Sequence, residues 1–508
     1  MKMNSWKYMT LHVGKNVKRV EDDGILCAGL FGTALILSAL ADFRRAALRN
    51  MSLFCSALAC FCTLFPAAGQ QAERARVPDK LFGHRFLTFN TEICVNHIET
   101  TRTDNAGVGV RRGELKDEKH YRAITPARVR EFRDALENGF PDARMTWGIS
   151  WKALHDTTPD FVEIRRMIVG YHYQYGDDVT LMPHSYFANV YNDVEQLNRD
   201  FRDGLAGISR MVGGGFRPKS VIAGFLAAPN LEYLAREEGI HVCQGNIWSQ
   251  YSIDNQDGEG SVCYPYYPSR EHFCKPAQGA RDFIDCVNLD GWTVDFLAAR
   301  HEGGMRNGKS YNCRMGVGPI ETLLFLGREK GLRQMLHTTA LHFDEPNFST
   351  NGFAWVTSNW ELFLPVEVSG LTEWLAEVRR RWPDTRVITQ GEFGLLWREQ
   401  FRENSFDYRF VEKRGSGISD SDSTKQIRWF MNKSFRLALL SDAGKNAPEE
   451  VIDFTRYDLP ASEPKEFTRS WSLLGDINQK QTRPQDKPLR LKELPAKFRR
   501  IIRRRYPL

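Results

Sequence analysis

Phe140-Pro141-Asp142-Ala143-Arg144-Met145-Thr146-Trp147-Gly148-Ile149 is the stretch that sets the architecture. The proline ends a preceding helix, because the residue before a proline is pushed out of helical geometry. Met145 to Ile149 is then a short apolar run. The connector recurs as Trp382-Pro383-Asp384-Thr385-Arg386-Val387, ahead of Val387-Ile388-Thr389. Other runs of this kind are Phe86-Leu87-Thr88-Phe89, Val179-Thr180-Leu181-Met182, Ser220-Val221-Ile222-Ala223, His241-Val242-Cys243, Cys286-Val287-Asn288-Leu289 and residues 336–341. Unbroken apolar runs of four to six residues suit strands buried on both faces of a parallel sheet.

Helical periods separate these runs. Thr125-Pro126 is an N-cap with proline at the first helical position, and Val129, Phe132 and Leu136 follow on one face. Val190, Val194, Leu197, Phe201, Leu205 and Ile208 form a longer stripe. Pro229-Asn230-Leu231 opens a helix that Gly239 ends. Leu371, Trp374, Leu375 and Val378 share a further helical face. About eight strands spread over roughly 310 residues favour a (β/α) barrel with insertions over an open wound sheet.

The flanks read differently. Residues 24–41 are apolar and uncharged, long enough for a membrane span. Arg44, Arg45 and Arg49, the apolar residues 53–65 and Ala67-Ala68-Gly69 read as a signal peptide, residues 51–69, with Met51 as its start. On that reading residues 1–50 are an upstream extension or a membrane segment, and no membrane span remains in the mature chain unless residues 24–41 are kept. Residues 70–81 are a polar linker and residues 82–395 the barrel. Alternating patterns with Gly-rich turns give a small β-rich domain over 396–480. A polar, then basic tail at 481–508 extends over the surface. The expected location is secreted or periplasmic. Disulfides are permissible there, and Cys263 with Cys274 is the first pair to expect. No Cys/His spacing points to zinc.

Thr88-Phe89-Asn90-Thr91-Glu92 resembles the first strand of polysaccharide deacetylases, which ends Thr-Phe-Asp-Asp. Met182-Pro183-His184-Ser185-Tyr186 resembles their His-Ser/Thr motif. Phe216-Arg217-Pro218 through Gly239-Ile240-His241 matches an Arg-Pro segment and its helix. Met335-Leu336-His337 and Leu341-His342-Phe343-Asp344 compete for their Leu-His pair. The likeness covers about residues 82–395 and implies a barrel of the glycoside hydrolase/deacetylase type followed by a small β-rich C-terminal domain. Two departures stand out: the acidic pair is Asn90-Thr91, and the second histidine, four residues after His184, is Ala188. The whole also resembles an uncharacterised family of exported bacterial proteins built of paired domains of unknown function.

Active residues of such barrels sit at the C-terminal ends of strands. Reading those ends gives Glu92, Trp151, His184, Asn246, Asp290, His342, Asp344, Glu345 and Glu392. A glycosidase needs two carboxyl groups. Asp290 with Glu92 or Asp344 is the expected pair, and Trp151, His184, Trp292, Trp355 and His342 are the expected sugar contacts. Asp290 reads equally as the N-cap of a helix after Thr293, and the segment around Trp355 as packing of the barrel mouth. The leading expectation is a glycoside hydrolase acting on an extracytoplasmic glycan, with no cofactor. The alternatives are a metal-dependent deacetylase using His184, His342 and Glu92, and a non-catalytic carbohydrate-binding protein. The net charge of +6 is small for 508 residues and gives no reason to expect nucleic acid. No Gly-rich phosphate loop and no Gly-x-Ser-x-Gly elbow occurs.

Overall fold

A computed structural model describes residues 80–95, 124–183, 188–246, 260–300, 305–306, 309–310, 315–363, 365–418, 423–445, 448–464, 471, 473 and 488–506. All lie in the compact unit Arg74–Leu508. The apolar runs at 24–41 and 53–65 fall outside them. Among the described residues no helix is long and apolar enough to cross a membrane.

The core is a ring of parallel strands. These are β1 (Arg85–Ile93), β2 (Thr146–Ser150), β3 (Asp178–Met182), β4 (Val221–Ile222), β5 (Val242–Asn246), β6 (Val287–Asp290) and β7 (Ala354–Trp360). Hydrogen bonding runs β7-β1-β2-β3 in one sheet and β4-β5-β6 in a second. Thr180 Oγ1 of β3 donates to the Ser220 carbonyl beside β4, which joins the sheets on one side. On the other, Thr293 N donates to Thr357 O at 3.0 Å and Thr357 N to Thr293 Oγ1 at 2.9 Å. An eighth strand, β8 (Arg386–Ile388), pairs with the first half of β1, on the same edge as β2 but below it.

Helices pack around the ring where the apolar periodicities lie. Helix α1 (Pro126–Gly139) starts at Thr125, whose hydroxyl accepts from Arg128 N at 3.2 Å, and buries Val129, Phe132 and Leu136. Helices α2 (Trp151–His155), α3 (Pro159–Tyr175) and α4 (Val194–Val212) follow. Helix α5 (Ala228–Tyr233) continues as one wide turn to Gly239, whose φ of 67° ends it in the left-handed region. Short α6 (Phe296–Arg300), α7 (Arg328–Phe343), α8 (Asn347–Asn351), α9 (Ser369–Arg381) and α10 (Gln390–Gln400) complete the barrel.

Two expectations are overturned in this part of the chain. Residues 336–341 are not a strand but part of α7. Gly331, Gln334, Met335, Leu336, Thr338, Thr339 and Phe343 are its buried residues, a helical spacing, and Thr338 and Thr339 return their hydroxyls to the carbonyls of Gln334 and Met335 at 2.9 and 2.8 Å. That back-bonding satisfies polar groups that a strand would have paired laterally. The missing strand is β7, in the aromatic and polar segment at 353–361. The segment at 336–341 misled because Leu336, Ala340 and Leu341 enclose β-branched threonines, and the true strand was hidden because it alternates.

The C-terminal part is an antiparallel sheet of β9 (Tyr408–Glu412), β10 (Lys425–Met431), β11 (Phe435–Asp442), β12 (Glu450–Arg456) and β13 (Leu489–Arg490), in that order. Its alternation gives each face a purpose. Ile427, Trp429, Met431, Ala438 and Ile452 pack into the barrel core. Phe430, Phe435, Leu437, Leu439, Val451 and Phe454 face the other way. They are covered by α11 (Ala496–Arg505), through Phe498, Ile502 and Tyr506. The basic tail is thus no surface extension over 488–506: its apolar residues at helical spacing complete the sheet, and Arg503, Arg504 and Arg505 occupy the last turn, where cations suit the helix dipole.

The cysteine expectation also fails. Cys263 and Cys274 are not bonded to each other; Cys263 Sγ lies 3.6 Å from Met431 Sδ, and Cys274 is buried in the core. The strand pair Pro268–Ser269 and His272–Pro276 that carries Cys274 is held instead by backbone and aromatic contacts.

Candidate active site at the C-terminal mouth of the barrel

Side chains alternate between the two faces of a strand. On β1, Leu87, Phe89 and Ile93 pack outward beneath the helices. Thr88 and Asn90 therefore point into the ring. Thr88 Oγ1 donates to Thr357 Oγ1 at 2.8 Å, and Asn90 Nδ2 donates to Gln390 Oε1 at 2.6 Å. Gln390 Nε2 in turn reaches Ser220 Oγ at 3.0 Å, so the start of α10 plugs the lumen from below. One step further along the same face is Glu92, wholly buried at the C-terminal end of β1, opposite Gly148 of β2.

The same reading applies to β7. Ala354, Val356 and Trp360 belong to the outer layer, which leaves Trp355, Thr357 and Asn359 inside. Glu361 comes next on the inner face and is 7 % exposed. Registers fix its level: Asn90 lies beside Asn359 and Thr91 beside Trp360. Glu92 and Glu361 are the residues that follow this last pair, Glu92 within β1 and Glu361 just past the end of β7. Asn359 is tied to the post-β6 segment through its carbonyl, which accepts from Trp292 Nε1 at 3.3 Å. The mouth is thus lined by two buried carboxyl groups and an amide, with the half-buried Trp151 opening α2 at the end of β2.

Of the expected site residues, Glu92, Trp151 and Trp292 stand at this end of the barrel. His184 lies outside the described residues. Asn246 ends β5, where its Oδ1 accepts from Ser261 Oγ at 2.7 Å. Asp290 does end β6, but it lines a different space. That cavity, about 30 Å³, brings together three of the expected residues, Asp290, His342 and Trp355, with Cys263, Tyr264 and Tyr408, and is bounded by neither Glu92 nor Glu361. Burial pushes the Cys263 thiol up, and the Asp290 carboxylate adds to this. The N-cap role read for Asp290 belongs to Asp295, whose Oδ1 accepts from Ala298 N at 2.8 Å.

Five further placements follow. Asp344 closes α7 at the opposite, N-terminal face, with its Oδ1 accepting from Trp382 Nε1 at 2.8 Å. His342 is a helical residue against Phe410 and Phe296, with ring centroids 4.7 and 5.8 Å away, and burial pulls its pKa down to about 4. Trp355 sits low in the lumen, stacked on Phe393 at 4.7 Å and donating to Thr88 Oγ1 at 3.0 Å. Glu392 is the third residue of a capping box on Thr389 and binds Arg144 at 2.8 Å, again below the ring. Glu345 accepts from Ser349 in the loop after Asp344.

Glu361 was missed in the sequence because the segment holding it was not read as a strand. Its alternation, Trp355, Thr357, Asn359, Glu361 against Val356, Ser358, Trp360, carried the signal. A deacetylase-type metal does not fit the described residues. Asn90 stands where the family has an acid and is already bonded to Gln390, Ala188 is a buried helical residue in place of the second histidine, and His342 is in α7.

Residues 79–431 match the domain of unknown function with a solved structure, DUF3863. The chain belongs to this family. Residues 436–508 match a second such domain, DUF3864. The DUF3863 match ends with β10 and the next begins in β11, so the division falls inside one hairpin of the C-terminal sheet. A crystal structure from Parabacteroides distasonis, of a candidate glycoside hydrolase/deacetylase, is 44% identical over 85% of this chain and 99% of its own, with a TM-score of 0.75. A candidate polysaccharide deacetylase from Pseudomonas aeruginosa PAO1 shows 13% identity over 63% of this chain and 92% of its own, with a TM-score of 0.38. A peptidoglycan deacetylase from Bacillus subtilis shows 11% over 63% and 95%, with a TM-score of 0.29. The last two likenesses are too slight to carry an argument. No curated protein matches the chain.

Proposed function

We propose that this DUF3863 protein is a glycan hydrolase whose acid and nucleophile or base are Glu92 and Glu361. The observation that carries the reading is the placement of two buried carboxyl groups at the C-terminal face, Glu92 near the end of β1 and Glu361 directly after its neighbour β7. The likeness to the Parabacteroides distasonis protein supports a carbohydrate-acting, hydrolase-like function. Adjacent strands lie about 4.8 Å apart, which favours the retaining spacing of about 5–5.5 Å over the wider inverting one. One carboxyl protonates the leaving oxygen while the other attacks the anomeric carbon. A water then releases the sugar, with the first group now acting as base. Trp151 offers an apolar ring face at the rim for a sugar to lie against.

The substrate is a carbohydrate outside the cytoplasm, a location supported by the signal-like residues 51–69. The test is incubation with a panel of polysaccharides, assayed in parallel for new reducing ends and for free acetate. Reducing ends released by the wild type, and lost in Glu92→Gln and Glu361→Gln, are expected. Acetate without reducing ends favours the deacetylase reading. Binding without either product makes the protein a carbohydrate-binding one.

A further inference from the structure

A second group of titratable side chains lies away from the mouth, where the barrel meets the C-terminal sheet. Asp295 caps α6, His337 is on α7, and Glu412 ends β9. One potential ligand atom from each lies within 4.8 Å of the other two. His337 Nε2 is 3.6 Å from Asp295 Oδ2 and 4.0 Å from Glu412 Oε1. Asp295 and Glu412 are fully buried, and the histidine side chain is 28% exposed.

The hydrogen bonds around the group leave its centre unsatisfied. Leu297 N donates to Glu412 Oε2 at 3.1 Å, and Ala298 N to Asp295 Oδ1 at 2.8 Å. Gln334 Nε2 donates to Asp295 Oδ2 at 2.8 Å, while its Oε1 accepts from Ser416 Oγ at 2.5 Å, which fixes the amide orientation. Glu412 Oε1 and His337 Nε2 are buried atoms with no hydrogen-bond partner. Two buried carboxyl groups thus share one site with the His337 imidazole.

We propose that Asp295, His337 and Glu412 bind a divalent transition-metal cation, zinc by their donor set, which ties the barrel to the C-terminal sheet. One imidazole nitrogen and two carboxylate oxygens are a zinc-type set. Tetrahedral ligands at about 2.0–2.2 Å from zinc stand roughly 3.4 Å from one another, so the observed separations need only a small contraction. The oriented Gln334 and the backbone donors hold the carboxylates, as metal sites require of the groups behind their ligands. The three ligands come from three separate elements, so the ion is a cross-link, and its fourth position is left to water.

The test uses the full chain, stripped with a chelator and reloaded with zinc sulfate, with zinc per chain read by mass spectrometry and Tm by calorimetry. About one zinc per chain and a higher Tm after reloading are expected. Both responses should vanish in Glu412→Gln and in His337→Gln, the latter at a partly exposed position that tolerates a polar replacement. Glu92→Gln should keep both. Zinc well below one per chain in the reloaded wild type, or zinc retained in the two variants, would overturn the proposal.

Discussion

Trp382 Nε1 donates to Asp344 Oδ1 at 2.8 Å, tying the end of α7 to the turn before β8. Trp382 is buried, so its N–H has little water to turn to. Asp344→Ala should therefore cost about 1–3 kcal/mol, the usual effect of stranding a buried donor. Asp344→Asn keeps an acceptor and should cost much less. Neither should change turnover, because the residue is on the face of the barrel away from the mouth. Denaturant titration with an activity assay checks both statements.

The plug of the lumen makes a second prediction. A Cβ on Gly394 of α10 would fall 2.4 and 2.7 Å from the two methyl carbons of Val242 on β5. Glycine to alanine inside a helix ordinarily gains roughly 0.5–1 kcal/mol. Here overpacking outweighs that gain, and Gly394→Ala should lose about 1–3 kcal/mol. A Tm equal to or above that of the wild type would mean the contact is softer than it looks.

His272 governs part of the acid limb. It is 1 % exposed, and its Nδ1 accepts from Cys274 N at 3.1 Å. Burial pulls its pKa down to about 3 from an ordinary 6.5. The folded state therefore resists protonation while the unfolded chain accepts it. The stability this confers is whole above the unfolded value and is lost as pH falls from 6.5 towards 3. His272→Asn, which keeps an acceptor for Cys274 but takes up no proton, should flatten that limb by several kcal/mol. Stability curves from pH 3 to 8 for both proteins give the comparison; parallel curves would remove His272 from the account.

Much of the barrel was legible in the sequence because buried parallel strands leave continuous apolar runs. Seven such runs are strands, and the Thr125 cap and the Gly239 stop fall where the local chemistry placed them. The failures share a cause. A short segment such as 336–341 also suits a buried helix, and only the spacing of its buried residues decides. In β7 the inner face is polar, so the strand reads as loop, and Glu361 was lost with it. Asp290 was located correctly on its strand, but which space a strand end faces depends on the C-terminal sheet packed beside it, and that long-range contact leaves no local pattern. Glu92 needed only the first strand and its two-residue period.

The claim that the mouth carboxyls do the chemistry comes down to one rate. On the polysaccharide that the wild type cleaves best, initial release of reducing ends should be measured for Glu361→Gln against the wild type at equal concentration and equal folded fraction. Removing an acid, base or nucleophile should lower the rate by about 10²–10⁴-fold. A variant as fast as the wild type would contradict the account and return Glu361 to the role of a buried structural acid.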